Sequence, residues 1–216
     1  MTTVEIINIV TIILALMVAI IGHEIMHGRV AYYYGDNTAA SMNRLSINPI
    51  VHIDPIGTIL VPALLYFSNV GFLFGWAKPV PVNMRTVISN GGYNGAIGVA
   101  LAGIAYNITL AIVASIALKA MPSPTDYITL FISNFLLYTV IYNIVLALFN
   151  LLPIPPLDGS QALGYLFRKL NMHAPANFMD SIGQYGMIIL ILIIATPLSN
   201  IVFAPMQKII EAVINL

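Results

Sequence analysis

Cysteine is absent from this 216-residue chain, which excludes disulfides and thiolate ligands and leaves His, Asp and Glu to hold any metal. Charge is scarce as well: 7% of the residues are Asp, Glu, Lys or Arg, against roughly 25% in an ordinary soluble domain. No charged stretch is long enough to build a soluble domain beside the apolar segments. The 8 basic and 8 acidic residues cancel, so no electrostatic footprint for a nucleic-acid partner exists. Internal repeats and low-complexity tails are missing too. What fills the chain is hydrocarbon, with 59% hydrophobic residues and a mean hydropathy of +0.93. That composition predicts a multi-pass protein of the cell membrane, built as a single domain over 1–216 and surrounded by lipid bilayer.

Residues 4 to 22 are nearly all aliphatic, and the helical pattern extends through His27 to about Tyr34, long enough to span. The stretch lacks a basic leader and a small-residue cleavage site, so it reads as a retained helix. Gly35-Asp36-Asn37 stops it, and a polar segment follows over 36 to 55. A second apolar run, 56 to 76, contains Gly57, Pro62, Gly71 and Gly75, which predicts a re-entrant or irregular segment instead of a regular span. Residues 77 to 93 read as a loop, runs at about 95 to 120 and 127 to 152 as spanning helices, and the stretch holding Asp158, Arg168, Lys169 and His173 as a further loop. A last apolar segment covers about 183 to 214, broken at Pro197 and Pro205. The expected fold is all-α, a helix bundle of about four to six transmembrane segments with a re-entrant or irregular segment near 56–76. Arg29 and Arg44, Lys78 and Arg85, and Arg168 and Lys169 mark three loops that the positive-inside rule places in the cytoplasm, with the N-terminus outside.

The apolar run of the first helix ends in His23-Glu24-Ile25-Met26-His27, an HExxH motif. Histidines four apart sit about 40° apart around a helix axis, so both imidazoles can reach one metal ion from one face. Buried histidines satisfied by a helix bundle are the bland alternative. It is disfavoured because a charged group at the bilayer centre costs about 2.5–3.5 kcal/mol, so ionisable residues there tend to be functional. A catalytic zinc takes three protein ligands and keeps a fourth position open. Asp158 is the candidate third ligand: it follows Asn150-Leu151-Leu152-Pro153-Ile154-Pro155-Pro156-Leu157, where three prolines hold an extended backbone that places one carboxylate before Gly159.

Together, His23 to His27 and Asn150 to Gly159 resemble the signature of the site-2 protease family of intramembrane zinc metalloproteases: HExxH on one membrane helix, then Asn-x-x-Pro-x-x-x-x-Asp-Gly. The chain is similar in particular to the compact members without PDZ or CBS domains, whose features Gly35-Asp36, the stretch Asn48 to Gly57 and the stretch Gly75 to Asn83 also match. The resemblance implies one zinc ion (Zn2+) per chain on His23, His27 and Asp158, with Glu24 as general base for the zinc-bound water. It also implies Asn150 as a polar group near substrate or oxyanion. The implied activity is hydrolysis of peptide bonds in or near transmembrane segments of membrane-protein or peptide substrates (regulated intramembrane proteolysis), at a site toward the cytoplasmic side. One departure stands out: in Ala102-Gly103-Ile104-Ala105-Tyr106-Asn107 the family's usual proline is replaced by Ile104.

Some residues stay open. His52 suits a cavity wall and a turn equally, Asn107 and Asn143 suit the site or interhelical bonding, and His173 reads as solvated. A membrane zinc carrier would share the ligands but would leave Glu24 without a task. A catalytically silent relative acting as a membrane chaperone is disfavoured by the intact Glu24.

Overall fold

The computed structural model describes residues 1–68 and 75–215. The first helix, α1 (Thr3–Tyr33), opens with a capping box in which Thr2 and Glu5 satisfy each other's backbone N–H groups. It ends where Gly35 adopts φ +85°, a conformation that glycine takes without a Cβ penalty, and the Asp36 N–H turns back to the Ala31 carbonyl. The long helices α4 (Met84–Lys119) and α5 (Tyr127–Leu151) pack on α1 and on each other. Buried Thr11, Ala15, Ala19 and His23 recur every fourth residue on α1, and Ala96, Ala100, Gly103 and Asn107 are buried on α4, where Ala111 and Ala114 pack with Val140 and Ile144 of α5. Small side chains allow the backbones to close together, the usual solution where lipid removes any hydrophobic drive between helices. The outer faces carry Ile6, Ile9, Val10 and Ile13 on α1 and Ile108, Ile112, Val113 and Ile116 on α4, all exposed, as contact with acyl chains requires.

Among the described residues there is no strand, and three helices are long and apolar enough to cross a membrane. A fourth span is present if α7 (His173–Gly183) and α8 (Gly186–Ala195), bent by 71° at their junction, count as one. The multi-pass, all-α expectation thus stands, at the low end of four to six segments. α9 (Leu198–Asn215) follows, with Pro205 inside it, so of the two expected breaks only Pro197 separates helices.

Two stretches expected as loops are helical. Asn83 caps α4 by accepting from the Arg85 and Thr86 N–H groups, so the helix starts at Met84, inside the expected 77–93 loop. Gly92, at φ +60° and ψ −162°, is non-helical and divides α4 into two helical pieces that meet at a kink, so the long apolar piece begins after it, near the expected start at about 95. After α5, the stretch carrying Asp158 forms α6 (Asp158–Lys169), an amphipathic helix that buries Gly159, Ser160, Ala162 and Gly164.

Between α1 and α4 the chain runs through the short helix α2 (Thr38–Ser41), a 3-10 turn (Pro49–His52), a π-helical turn (Pro55–Leu60) and α3 (Val61–Phe67). The ends of the 56–76 segment lie side by side. The Trp76 N–H donates to the Gly57 carbonyl at 3.1 Å and the Thr58 hydroxyl to the Trp76 carbonyl at 2.8 Å, which fits the expected irregular segment. Residues 69–74, Gly71 among them, lie outside the described residues. The next stretch, 76–83, is a strap tied to the polar segment before it. Buried Arg44 donates to the Lys78 carbonyl at 2.7 Å, the Lys78 N–H donates to the His52 carbonyl at 2.9 Å, and the Asn83 N–H donates to the Asp36 carboxylate at 2.6 Å. Burial pushes the Asp36 carboxyl up, but hydrogen bonds from Thr38 and Asn83 outweigh it and hold the group below the usual carboxylate range.

Candidate metal centre

The buried stripe of α1 delivers His23 to the α1–α4 seam, and His27 follows one turn on. Each imidazole is anchored through Nδ1. That atom of His23 lies 2.6 Å from Asn107 Oδ1 and that of His27 lies 2.7 Å from the Val99 carbonyl oxygen, both on α4. Both partners are acceptors, so each neutral ring carries its proton on Nδ1 and leaves Nε2 as a bare lone pair. The room for His23 comes from Gly103, where a Cβ would lie 2.5 Å from His23 Nε2.

Asp158 enters from the third direction. The turn after α5 contains a cis Pro155–Pro156 peptide, and α6 begins with Asp158 in its first turn. The start of α6 lies against the end of α5 so closely that a Cβ on Gly159 would meet the Leu151 carbonyl oxygen at 2.2 Å. Asp158 Oδ2 is 3.0 Å from His23 Nε2 and 3.3 Å from His27 Nε2, and the two Nε2 atoms are 3.1 Å apart. Close as they are, the two contacts of Asp158 Oδ2 lack hydrogen-bond geometry: that atom is buried with no hydrogen-bond partner. Three lone-pair atoms converging in a buried place repel one another unless a cation joins them. Ligands of a tetrahedral zinc with bonds of about 2.0–2.1 Å stand about 3.3 Å apart, and two imidazole nitrogens with a carboxylate oxygen are a donor set zinc accepts. The residues therefore fit a metal ion. Among the described residues this trio is the one group of three or more such side chains that could hold one.

Glu24 is half-buried beside the trio, and its Oε2 accepts the Val80 N–H at 2.9 Å. A carboxylate next to the trio is thus held by the strap's backbone. Sequence reasoning could not see this donor, nor the Val99 carbonyl behind His27, since any residue offers the same backbone group. The only visible hint was Pro79 and Pro81, which stiffen the strap on either side of Val80.

The remaining expected residues are more distant from the trio in their bonding. Asn150, on the last turn of α5, donates from Nδ2 to the Leu146 carbonyl at 3.0 Å. His52 is buried, bonds the Ser46 carbonyl through Nε2 at 2.8 Å, and lines an apolar groove of about 570 Å³ between α1 and residues 75–77. His173 is exposed, as expected.

A membrane-spanning helix with the two histidines of an HExxH turn, met at one point by an aspartate at the start of α6, is an arrangement suited to a metallopeptidase of the membrane-embedded class. The chain matches the profile of Peptidase family M50 over residues 11–194 and belongs to that family. It is 35% identical over 202 residues to YwhC of Bacillus subtilis (strain 168), a candidate zinc metalloprotease by name, covering 90% of this chain and 84% of that protein. It is 28% identical over 179 residues to Rip2 of Mycolicibacterium smegmatis (strain ATCC 700084 / mc(2)155), another candidate zinc metalloprotease by name. That match spans 82% of this chain and 64% of Rip2. No solved structure matches the chain. The protein is a multi-pass membrane zinc metalloprotease of the M50 type.

Proposed function

We propose that His23, His27 and Asp158 hold one zinc ion per chain and that Glu24 acts as general base in hydrolysis of peptide bonds in or near transmembrane segments of membrane proteins. The observation that carries this reading is the meeting of three lone-pair atoms within 3.0–3.3 Å, with both Nδ1 protons committed to carbonyl oxygens. When bound, zinc supplies Lewis acidity toward the scissile carbonyl and the attacking water. Glu24, with one oxygen on the Val80 N–H, takes the water proton on its other oxygen and later passes it to the leaving amine. Asn150 keeps one amide hydrogen beyond its bond to Leu146 and offers it to substrate backbone or oxyanion. The substrate helix must unwind before cleavage, because its own hydrogen bonds shield the scissile bond.

Purified protein should carry one zinc per chain by metal analysis, and His23→Ala, His27→Ala or Asp158→Ala should each remove it. Full zinc occupancy in the Asp158→Ala protein would take that residue out of the ligand set.

The site is assigned to the cytoplasmic side of the cell membrane. Supporting this, the first two basic loops form one bonded unit: Arg44 reaches the Lys78 carbonyl and Asp36 receives the Asn83 N–H. Since the chain has no cysteine, Ser41→Cys, Ser89→Cys and His173→Cys can be probed singly with an impermeant thiol reagent. All three should stay unlabelled in intact cells and react after permeabilisation. Labelling of any of them in intact cells would overturn the assignment.

A further inference from the structure

We infer that Asn107, held in turn by Asn143, is a positioning residue that fixes the tautomer and direction of His23 and thereby sets how tightly the chain holds its metal. The inference rests on the reading of His23 as a ligand. Asn107 and Asn143 are both completely buried, on α4 and α5, where unpaired amides would be costly. Their bonds form a directed series. The Thr139 carbonyl can only accept, so Asn143 presents Nδ2 to it at 2.8 Å and turns Oδ1 toward Asn107. Asn107 then spends both amide hydrogens, one on Asn143 Oδ1 at 2.7 Å and one on the Ala19 carbonyl at 3.1 Å. Only its oxygen is left for His23 Nδ1, at 2.6 Å.

A flipped Asn107 would set its oxygen against two acceptors and its amino group against His23. The series therefore admits one orientation, and that orientation demands a proton on His23 Nδ1 and a lone pair on Nε2, facing His27 and Asp158. Outer partners of metal-bound imidazoles act in this way, fixing tautomer and ring direction. His27 takes the same service from the backbone carbonyl of Val99, so side-chain control of the centre is concentrated on His23. Within the same bundle α5 also offers a control: Asn134 donates to Asn8 of α1 at 2.7 Å, an interhelical bond with no link to either histidine.

The experiment compares wild type, Asn107→Leu, Asn143→Leu, Asn134→Leu and His23→Ala in detergent. Zinc affinity is measured by chelator competition, thermal unfolding is followed in parallel, and the His23 tautomer is read by nitrogen-15 NMR of the zinc-free protein. Asn107→Leu should weaken zinc binding by about 10–100-fold and move the His23 proton partly to Nε2. Asn143→Leu should shift both readouts the same way by a smaller factor. Asn134→Leu should lower thermal stability while leaving zinc affinity and tautomer as in wild type. Should Asn107→Leu behave like Asn134→Leu while His23→Ala loses zinc, the inference is wrong and the ligand reading survives. Zinc retained by His23→Ala would overturn both. If Asn107→Leu does not fold, Asn143→Leu decides: wild-type affinity and tautomer there refute the series.

Discussion

Glu24→Gln should leave one zinc per chain and the fold in place while peptide-bond hydrolysis falls by about 10²–10⁴-fold, the usual weight of a positioned general base. The expectation follows from where the side chain sits. Glu24 belongs to neither the buried stripe of α1 nor the converging trio, and its Oε2 is bonded to the Val80 N–H. The glutamine oxygen can accept the same N–H, so the strap stays docked and the shape of the site is kept. Only the capacity to take a proton is lost. Metal content, thermal stability and cleavage of a membrane-protein substrate, measured on the same preparation, separate the possibilities. Activity within a few-fold of wild type would assign proton transfer to another group. Loss of zinc together with activity would mean that Glu24 supports the metal, and the zinc-carrier reading would regain ground.

Much of this centre was legible in the sequence because its first layer is made of side chains with a fixed helical spacing. His23 and His27 are placed by the 3.6-residue period alone once α1 is recognised as a membrane helix. Asp158 is placed by the proline-rich turn after α5, whose backbone has few conformations. The layer behind was not legible, because it depends on which backbone groups tertiary packing brings near. The Val80 N–H and the Val99 carbonyl carry no signature of their own. Asn107 did carry one, an amide on an apolar helix, but its distance to His23 is fixed by the α1–α4 seam and not by either helix alone. The two misread loops have local causes. In 77–93 the Asn83 cap starts a short helical piece at Met84 that the sequence reading took as loop, while Gly92, with non-helical φ and ψ, does interrupt the helix before the long apolar piece. In α6, small residues at Gly159, Ser160 and Gly164 make the buried face and hide the apolar period that would have marked a helix.

Gly103→Ala should abolish most of the activity and weaken zinc binding, although alanine is intrinsically the better helix residue. The reason is distance. A Cβ at this position would stand 2.5 Å from His23 Nε2 and Cε1, and 2.6 Å from Cδ2. Those atoms are the edge that faces His27 and Asp158 on a ring held on its other side by Asn107, so the ring cannot simply rotate away. Either α4 retreats from α1 or His23 leaves the position from which Nε2 faces His27 and Asp158, and both outcomes displace a ligand by a fraction of an ångström to an ångström. A misplacement of about 1 Å costs on the order of 10²-fold in rate when geometry carries the catalysis. The expected result is thus a loss of about 100-fold or more in kcat/KM, with reduced zinc occupancy and a lowered thermal stability, since overpacking a buried seam costs about 1–3 kcal/mol. Gly98→Ala is the matched control on the same helix: the nearest atom to its added Cβ is Val30 Cγ1 at 4.0 Å, an ordinary contact. That variant should keep zinc and activity, and any gain in helix propensity would register as a small rise in stability. Wild-type activity in Gly103→Ala would show that the α1–α4 seam opens during turnover far enough to accommodate a methyl group beside the ligand. The tight packing around His23 would then describe a resting arrangement, and the catalytic one would have to be sought with the seam apart.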